Sequence, residues 1–474
     1  MTMISNELAT EVVILGAGPG GYSAAFRLAD LGKKVTLIEC AENLGGVCLN
    51  VGCIPSKTLL HAAKIIADAK EMTLCGIDFA PPKIDLEKLR HCKDNVITKL
   101  TSGLKMLAKK RKVEIIQGYG KFIAPTQIEV LTSNSTTKTI VNFTNAIIAA
   151  GSSSVKLPFI PDDPRVMDST SALQIQDIPK ELLIIGGGII GLEMATIYHA
   201  LGSQITIVES CNQLITLIDS DIIKPLEQSV SKKYTKIMLE TTVAKVEPKS
   251  DGLWVTLKDK NNTVSQLRFD KILVAIGRKP NGKLIGAENA NINIDAQGFI
   301  PVNSEMRSNI PNIFAIGDIA GNPMLAHKAS FEGHLVAEII AGSNRKFAKE
   351  AIPSVAYTDP EIATVGLTEN EAKKQNLNYD TAIFPWIASG RSQSMGRSEG
   401  LTKLLFDTQT RQILGASIVG SNAGELISEI ALAIKMKTTA KDIAQTIHPH
   451  PTLSETIMLA AEVFEKTVTD ILVK

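Results

Sequence analysis

The chain reads as a multi-domain α/β protein in which one unit of strand, glycine turn and helix occurs twice. The segment from Glu11 to Glu39 aligns without a gap with the segment from Glu181 to Glu209, an offset of 170 residues. Each copy opens on a short continuous apolar run, Val12-Val13-Ile14-Leu15 or Leu182-Leu183-Ile184-Ile185, as strands covered on both faces do. At about 150 residues per domain, 474 residues exceed one ordinary core and fit about three domains.

Each strand runs into G-x-G-x-x-G, with Gly16, Gly18 and Gly21 in the first copy and Gly186, Gly188 and Gly191 in the second. The first glycine makes the tight turn, the second lets backbone approach a pyrophosphate, and the third allows the helix to pack on its strand. The helix start that follows is an anion site through its free N–H groups and dipole. Each copy ends on a second strand and an acid, Glu39 or Glu209, 18 residues past the third glycine, where a carboxylate can accept ribose hydroxyls. The two copies therefore read as Rossmann-like dinucleotide-binding units. A carboxylate at Glu209 repels a 2′-phosphate, and Ser210, Cys211, Asn212 and Gln213 add no basic residue, so NAD is favoured over NADP there.

The first copy is followed by Cys48 and Cys53, with four residues between them, in Gly45-Gly46-Val47-Cys48-Leu49-Asn50-Val51-Gly52-Cys53-Ile54-Pro55-Ser56-Lys57. Five helical steps would separate their Cα atoms by roughly 7.5 Å along the axis, beyond the usual disulfide reach of about 6.8 Å. Asn50 and Gly52 permit the irregular backbone that closure needs, and strained or exposed disulfides are the easily reduced ones. Half of a zinc site and two unpaired thiols are the other readings; zinc would need a second Cys/His pair at ligand spacing, whereas Cys40, Cys75, Cys92 and Cys211 are scattered. No metal is expected. A redox pair beside the first dinucleotide unit points to FAD there, because a flavin passes electrons between a hydride donor and a dithiol. Pro55 suits the first turn of a helix, and a helix start lowers a thiol pKa, which favours Cys53 as thiolate.

Fifty basic residues against 49 acidic ones give a net charge of +1 and no footprint for nucleic acid or an anionic membrane. The apolar runs stop short of the roughly 18 residues of a membrane span. Met1 to Thr10 carries neither a basic start nor an apolar signal core, so a cytoplasmic setting is expected, where close cysteines are more often catalytic than structural. Near the other end, His450 precedes Pro451, which disfavours helical geometry before it, and Thr452 and Glu455 have capping-box spacing.

The motifs GGVCLNVGCIPSK (45–57), GGGIIGLEM (186–194), AIGRKPN (275–281), IFAIGD (313–318), MLAHK (324–328) and HPHPTLSE (448–455) span the chain. By them it resembles the flavoprotein disulfide reductases, and among these the dihydrolipoamide dehydrogenase family. The resemblance implies an FAD-binding domain over 1–155, an NAD-binding domain over 156–280, a central segment over 281–350 that completes the first, and an α+β interface domain over 351–474 that forms a homodimer. It implies that Cys48 exchanges with substrate while the Cys53 thiolate lies against the flavin, and that Lys57, near flavin N5, pairs with Glu193. Asp318, with backbone at Gly120 and Ala326, would hold FAD; Val243 and Gly277 would serve NAD. His450 would be the base, oriented by Glu455 and reaching the disulfide of the other subunit, with His448 structural.

The implied reaction is oxidation of dihydrolipoamide with reduction of NAD. The implied partners are lipoyl domains of 2-oxoacid dehydrogenase acyltransferases and the glycine cleavage carrier protein. The alternatives are another reductase of the family, acting on glutathione, mercuric ion or a thioredoxin-like protein, or a flavin-bearing binding subunit. The first lacks its marks: no C-terminal cysteine pair, no arginines after Glu209, and Ile189 where glutathione reductases carry a gating Tyr. Complete Cys48, Cys53 and His450 argue against the second. Two departures stand out. Gly151-Ser152-Ser153-Ser154 lacks a proline common in the family, which is expected to loosen the linker, and Pro449 replaces an alanine between the two histidines.

Overall fold

The computed structural model describes residues 5–132, 138–348 and 351–472. Residues 1–4, 349–350 and 473–474 lie outside them, and with them the outer ends of the expected first, central and last domains.

The two repeats form the centres of two separate sheets. In the first, strands run in the order Glu114–Gln117, Val35–Glu39, Ser5–Leu15, Lys138–Ile148, Gln127–Leu131 and Tyr119–Ala124. Ile313–Ala315 joins parallel to the end of Lys138–Ile148, so the later chain returns to complete this sheet. The first three strands and Lys138–Ile148 are parallel, and the strand order reverses at Ser5–Leu15. Ligands of such sheets bind at that reversal, beyond the carboxyl ends of the strands. Side-chain alternation explains the unbroken apolar run: Val12 and Ile14 pack under helices Pro19–Asp30 and Ala326–Ile340, while Val13 and Leu15 face Phe122, Ile128 and Val130.

The second sheet repeats the plan in the order Lys236–Met238, Gln204–Val208, Glu181–Ile185, Lys271–Val274 and Val166–Met167, all parallel. Leu182 and Ile184 pack under helix Ile189–Leu201, and Leu183 and Ile185 pack on a three-stranded antiparallel sheet of Thr242–Lys249, Gly252–Lys258 and Val264–Phe269. The last part is a five-stranded antiparallel sheet, ordered Ser354–Ala356, Glu361–Gly366, Ile413–Gly420, Leu401–Asp407 and Tyr379–Pro385. Helices Ala423–Met436 and Glu455–Glu465 cover it over a core that includes Phe384, Trp386 and Phe406. No described helix is long and apolar enough to cross a membrane.

The serine run between the first two sheets departs from expectation. Instead of a loosened linker, Ser152–Ser154 pairs antiparallel with Arg278–Pro280. The Arg278 guanidinium donates to Ser152 Oγ at 2.7 Å and to its carbonyl at 2.5 Å, and Ser152 Oγ donates in turn to the Asp318 carboxylate. Hydrogen bonds replace the stiffness a proline would supply.

Buried ion pairs join the remaining pieces. Lys403, on the C-terminal sheet, is fully buried and bonds Asp219, Asp221 and Glu369 at 3.3, 2.8 and 2.6 Å, fastening the last part of the chain to the second sheet's helix Ser220–Lys233. Lys328 and Glu332, one turn apart and 2.9 Å from each other, hold the turn that carries Asp318: Glu332 accepts the Gly317 N–H at 2.7 Å, and Lys328 donates to the Gly317 and Gly321 carbonyls at 3.3 and 3.1 Å. Removing one member of a buried pair strands the other, at a cost of about 3–5 kcal/mol. Lys328→Met is therefore expected to lower the thermal midpoint and to weaken flavin retention, both read in one heating series by flavin release and circular dichroism; an unchanged midpoint would refute it.

Candidate functional site

One cavity of about 1490 Å³ opens between the first and second sheets and reaches the C-terminal part of the chain. Every cofactor-side residue expected from the sequence lines it except Gly21 and Gly191. Those two act from below: a Cβ on either would stand 1.9 or 2.2 Å from the carbonyl oxygen of Gly16 or Gly186, so only glycine lets the helix close on its own turn. Gly16 and Gly186 have φ of +102° and +107°, the left-handed turn expected of the first glycine.

Both acids do the same local work. Glu39 accepts the N–H groups of Ala17 at 2.7 Å and Ala41 at 2.9 Å; Glu209 accepts those of Gly187 at 2.7 Å and Cys211 at 2.8 Å. Burial pushes the Glu209 carboxyl up, but the N–H groups of Cys211 and Gly187 outweigh it, and the net direction is down, so the group is a carboxylate at neutral pH. The helices behind both turns start at Gly18 and Gly188 with no side-chain cap, which leaves their first N–H groups for a ligand. Two uncapped helix starts, one beside the buried Glu39 and one beside the half-buried Glu209 on one large cavity, fit two dinucleotides, FAD on the cysteine side and NAD(H) on the Glu209 side. Cys40 and Cys211, scattered in sequence, also line the cavity, each just behind its acid.

The cysteine loop differs in detail from its expected form. Asn50 is helical rather than irregular: Gly46–Val51 is a short helix, and the Asn50 amide donates back to the carbonyls of Leu44 at 3.2 Å and Gly46 at 2.9 Å. The whole break falls on Gly52, at φ −143° and ψ −111°, after which Cys53 opens helix Cys53–Glu71. The two cysteines are free thiols here, and each governs the other's titration. Interaction with Cys48 lowers the Cys53 thiol to about 7 against the opposition of burial, with help from the Lys57 ammonium, and interaction with Cys53 holds Cys48 well above its ordinary value. The pair thus stands with Cys53 as the thiolate partner.

Lys57 follows Cys53 by one helical turn on the same face. Its ammonium forks onto Glu193, 3.0 Å from Oε1 and 2.9 Å from Oε2, and Glu193 is buried on the second sheet's helix. Tyr357, which no sequence signal marked, sends its N–H to Glu193 at 3.2 Å and sets its ring 4.5 Å from the Lys57 nitrogen. The Ser152–Arg278 support of Asp318 and the Lys328–Glu332 pair behind it were also missed; MLAHK held Lys328 as a motif residue without a role.

His450 and Glu455 stand elsewhere. His450 Nδ1 lies 2.9 Å from Glu455 Oε1, its side chain is 78% exposed, and neither residue lines the cavity. The expected capping box is only half made. Glu455 Oε2 accepts the Thr452 N–H at 2.7 Å, but the helix starts at Glu455 behind Ser454, and the Thr452 hydroxyl turns to the Pro449 carbonyl at 2.8 Å. The two carboxylate oxygens therefore serve the loop and the histidine at once. His448 bonds Thr446 O and Glu429, each at 2.8 Å.

Comparison with known proteins agrees with this arrangement. The family model for pyridine nucleotide-disulphide oxidoreductases matches residues 10–333, and that for the dimerisation domain of the same family matches 352–461. Proteins named dihydrolipoyl dehydrogenase from Vibrio cholerae and Haemophilus influenzae are 55% and 54% identical over 99% of this chain and 98% of their own lengths. A mitochondrial one from Arabidopsis thaliana is 42% identical over 95% of this chain and 89% of its length. Among solved structures, the HOCl-induced flavoprotein disulfide reductase RclA of Escherichia coli, as its Cu(II) complex, superposes with a TM-score of 0.85 at 25% identity, covering 98% of this chain and all of that one. LpdA of Mycobacterium tuberculosis reaches 0.88 at 24% identity over 96% and 99%, which speaks to the fold. With both models covering most of its length around this cavity, the chain belongs to the pyridine nucleotide-disulphide oxidoreductase family of homodimeric flavoproteins.

Proposed function

We propose that this protein is a dihydrolipoyl dehydrogenase, which oxidises protein-borne dihydrolipoamide to lipoamide through Cys48 and Cys53 and reduces NAD. The observation that carries the reading is the placement of the cysteine pair on the wall of the cavity that both glycine turns share, in a chain more than half identical over its full length to proteins of that name. FAD, held over the Gly16–Gly21 turn, Gly120, Asp318 and Ala326, supplies the two-electron relay between dithiol and nicotinamide when bound. NAD belongs on the Gly186–Gly191 turn with Glu209, Val243 and Gly277. The domain division is read as 1–155, 156–280, 281–350 and 351–474.

The chemistry follows from which sulfur is free. In the oxidised enzyme Cys48 and Cys53 are joined. A substrate thiol gives its proton to His450 of the partner subunit, whose Nε2 keeps its lone pair because Nδ1–H faces the Glu455 carboxylate. The thiolate attacks Cys48 Sγ; the Cys48–Cys53 bond breaks, and Cys53 leaves as the thiolate that its helix start and Lys57 stabilise. The second substrate thiol then attacks the substrate sulfur of the mixed disulfide and displaces Cys48, which takes up the proton as it leaves, so cyclic lipoamide is released and two electrons remain in the protein pair. The net reaction takes dihydrolipoamide and NAD to lipoamide, NADH and a proton. His450 is exposed and outside its own chain's cavity, which supports a site shared across the homodimer. Lipoyl domains of 2-oxoacid dehydrogenase acyltransferases or the glycine cleavage carrier protein, in the cytoplasm, are the partners this reading assigns.

Steady-state oxidation of dihydrolipoamide by the FAD-loaded protein is expected with NAD and at least ten times more slowly with NADP; a flavin that NADH reduces but dihydrolipoamide does not would move the reading to another reductase of the family. Cys48→Ser should abolish turnover while NADH still bleaches the flavin, and retained turnover would overturn the role of Cys48. In the two-electron-reduced enzyme, thiolate absorbance is expected to grow as pH rises through about 7, well below an ordinary thiol, because interaction with Cys48 and the Lys57 ammonium lowers the Cys53 thiol. A midpoint near 9 in that titration would remove Cys53 as the thiolate.

A further inference from the structure

Lys57 and Glu193 lie on helices Cys53–Glu71 and Ile189–Leu201, but the third group at that point comes from the C-terminal part of the chain. Tyr357 follows strand Ser354–Ala356. Its ring lies 4.5 Å from the Lys57 nitrogen, and its N–H reaches Glu193 Oε1 at 3.2 Å, so one residue grips both members of the pair. The strand before the ring is held by helix Ala423–Met436: Gly424 donates its N–H to Glu361 at 2.9 Å, and a Cβ on it would stand 2.9 Å from Val355 Cγ1, with Tyr357 Cε1 at an ordinary contact distance of 3.6 Å from that point. A flexible lysine facing only Glu193 could settle anywhere around that carboxylate. The aromatic face attracts the ammonium from one further side and removes that freedom.

We propose that Tyr357 is a positioning residue that holds the Lys57 ammonium on the Cys53 side of the Glu193 carboxylate, so that the dimerisation domain sets the charge felt by the reactive sulfur. The consequence concerns Cys53 through Lys57 and does not require the tyrosine hydroxyl. The inference rests on the reading of Cys53 as the working thiolate, but not on which disulfide is the substrate.

The test uses the FAD-loaded dimer in a Cys48→Ser background, where alkylation of Cys53 is followed against pH by peptide mass after reduction. Tyr357→Phe should keep the midpoint of that profile, and Tyr357→Leu should raise it by about half a pH unit or more, as loss of a nearby positive charge does. Because Leu changes packing as well, 3,4,5-trifluorophenylalanine at position 357 provides an isosteric ring without a negative face, and it should shift the midpoint in the same direction as Leu. In the Cys48-intact enzyme the same replacements should lower kcat and leave the KM for NAD within twofold. A parental midpoint with the fluorinated ring, or a Phe variant shifted as far as Leu, overturns the proposal. Turnover of dihydrolipoamide by the unaltered enzyme is measured alongside; its absence with the predicted midpoint shifts would reject the substrate and leave the role of Tyr357 standing.

Discussion

The ion pair of Lys57 and Glu193 is the contact on which the working arrangement depends. A buried carboxylate is costly unless a partner neutralises it, and here the partner arrives from a different helix, one turn beyond Cys53. The second dinucleotide unit therefore cannot drift from the first without stranding Glu193. The same contact brings a positive charge to Cys53, the sulfur proposed to leave as a thiolate. One interaction thus joins the two dinucleotide units and lowers the thiol beside it.

The other joints share this design. Lys403 with Asp219 and Asp221, and Asp359 with Lys233, tie the C-terminal sheet to the second sheet's helix Ser220–Lys233 through largely buried charges. Such pairs add less stability than apolar packing of equal volume would, but they are satisfied in one relative orientation only. In the proposed reaction a histidine carried by one part meets a cysteine carried by another, and such orientation would serve it; the histidine is exposed and the cysteine opens on the cavity.

The acids at the ends of the two repeats show how one carboxylate does two jobs. Glu39 and Glu209 each bind the turn of their own repeat and the backbone just past themselves, so the carboxylate oxygens are oriented before any ligand arrives. Glu455 divides its oxygens likewise, one to its loop and one to His450. A ligand or a base held this way needs little reorganisation when the reaction begins.

What the sequence by itself determined is whatever depends on local geometry. The repeat, its glycines and its acids were legible because a tight turn, a helix packed so close to its own turn that no Cβ fits, and a strand end are decided within some 30 residues. Cys53 at a helix start was legible through Pro55 for the same reason. Local reasoning failed where two local solutions were open: Asn50 went helical because Gly52 alone could carry the break, and Thr452 gave up its cap for the Pro449 carbonyl. Only the tertiary structure decided the partners across the domains. Tyr357 against Lys57, Arg278 on Ser152 below Asp318, Lys328 with Glu332 under the same turn, and the stiff serine linker arise where segments far apart in the chain pack together. A side chain's neighbour across a domain boundary is selected by packing and desolvation of both, and no periodicity or spacing along the chain records that choice.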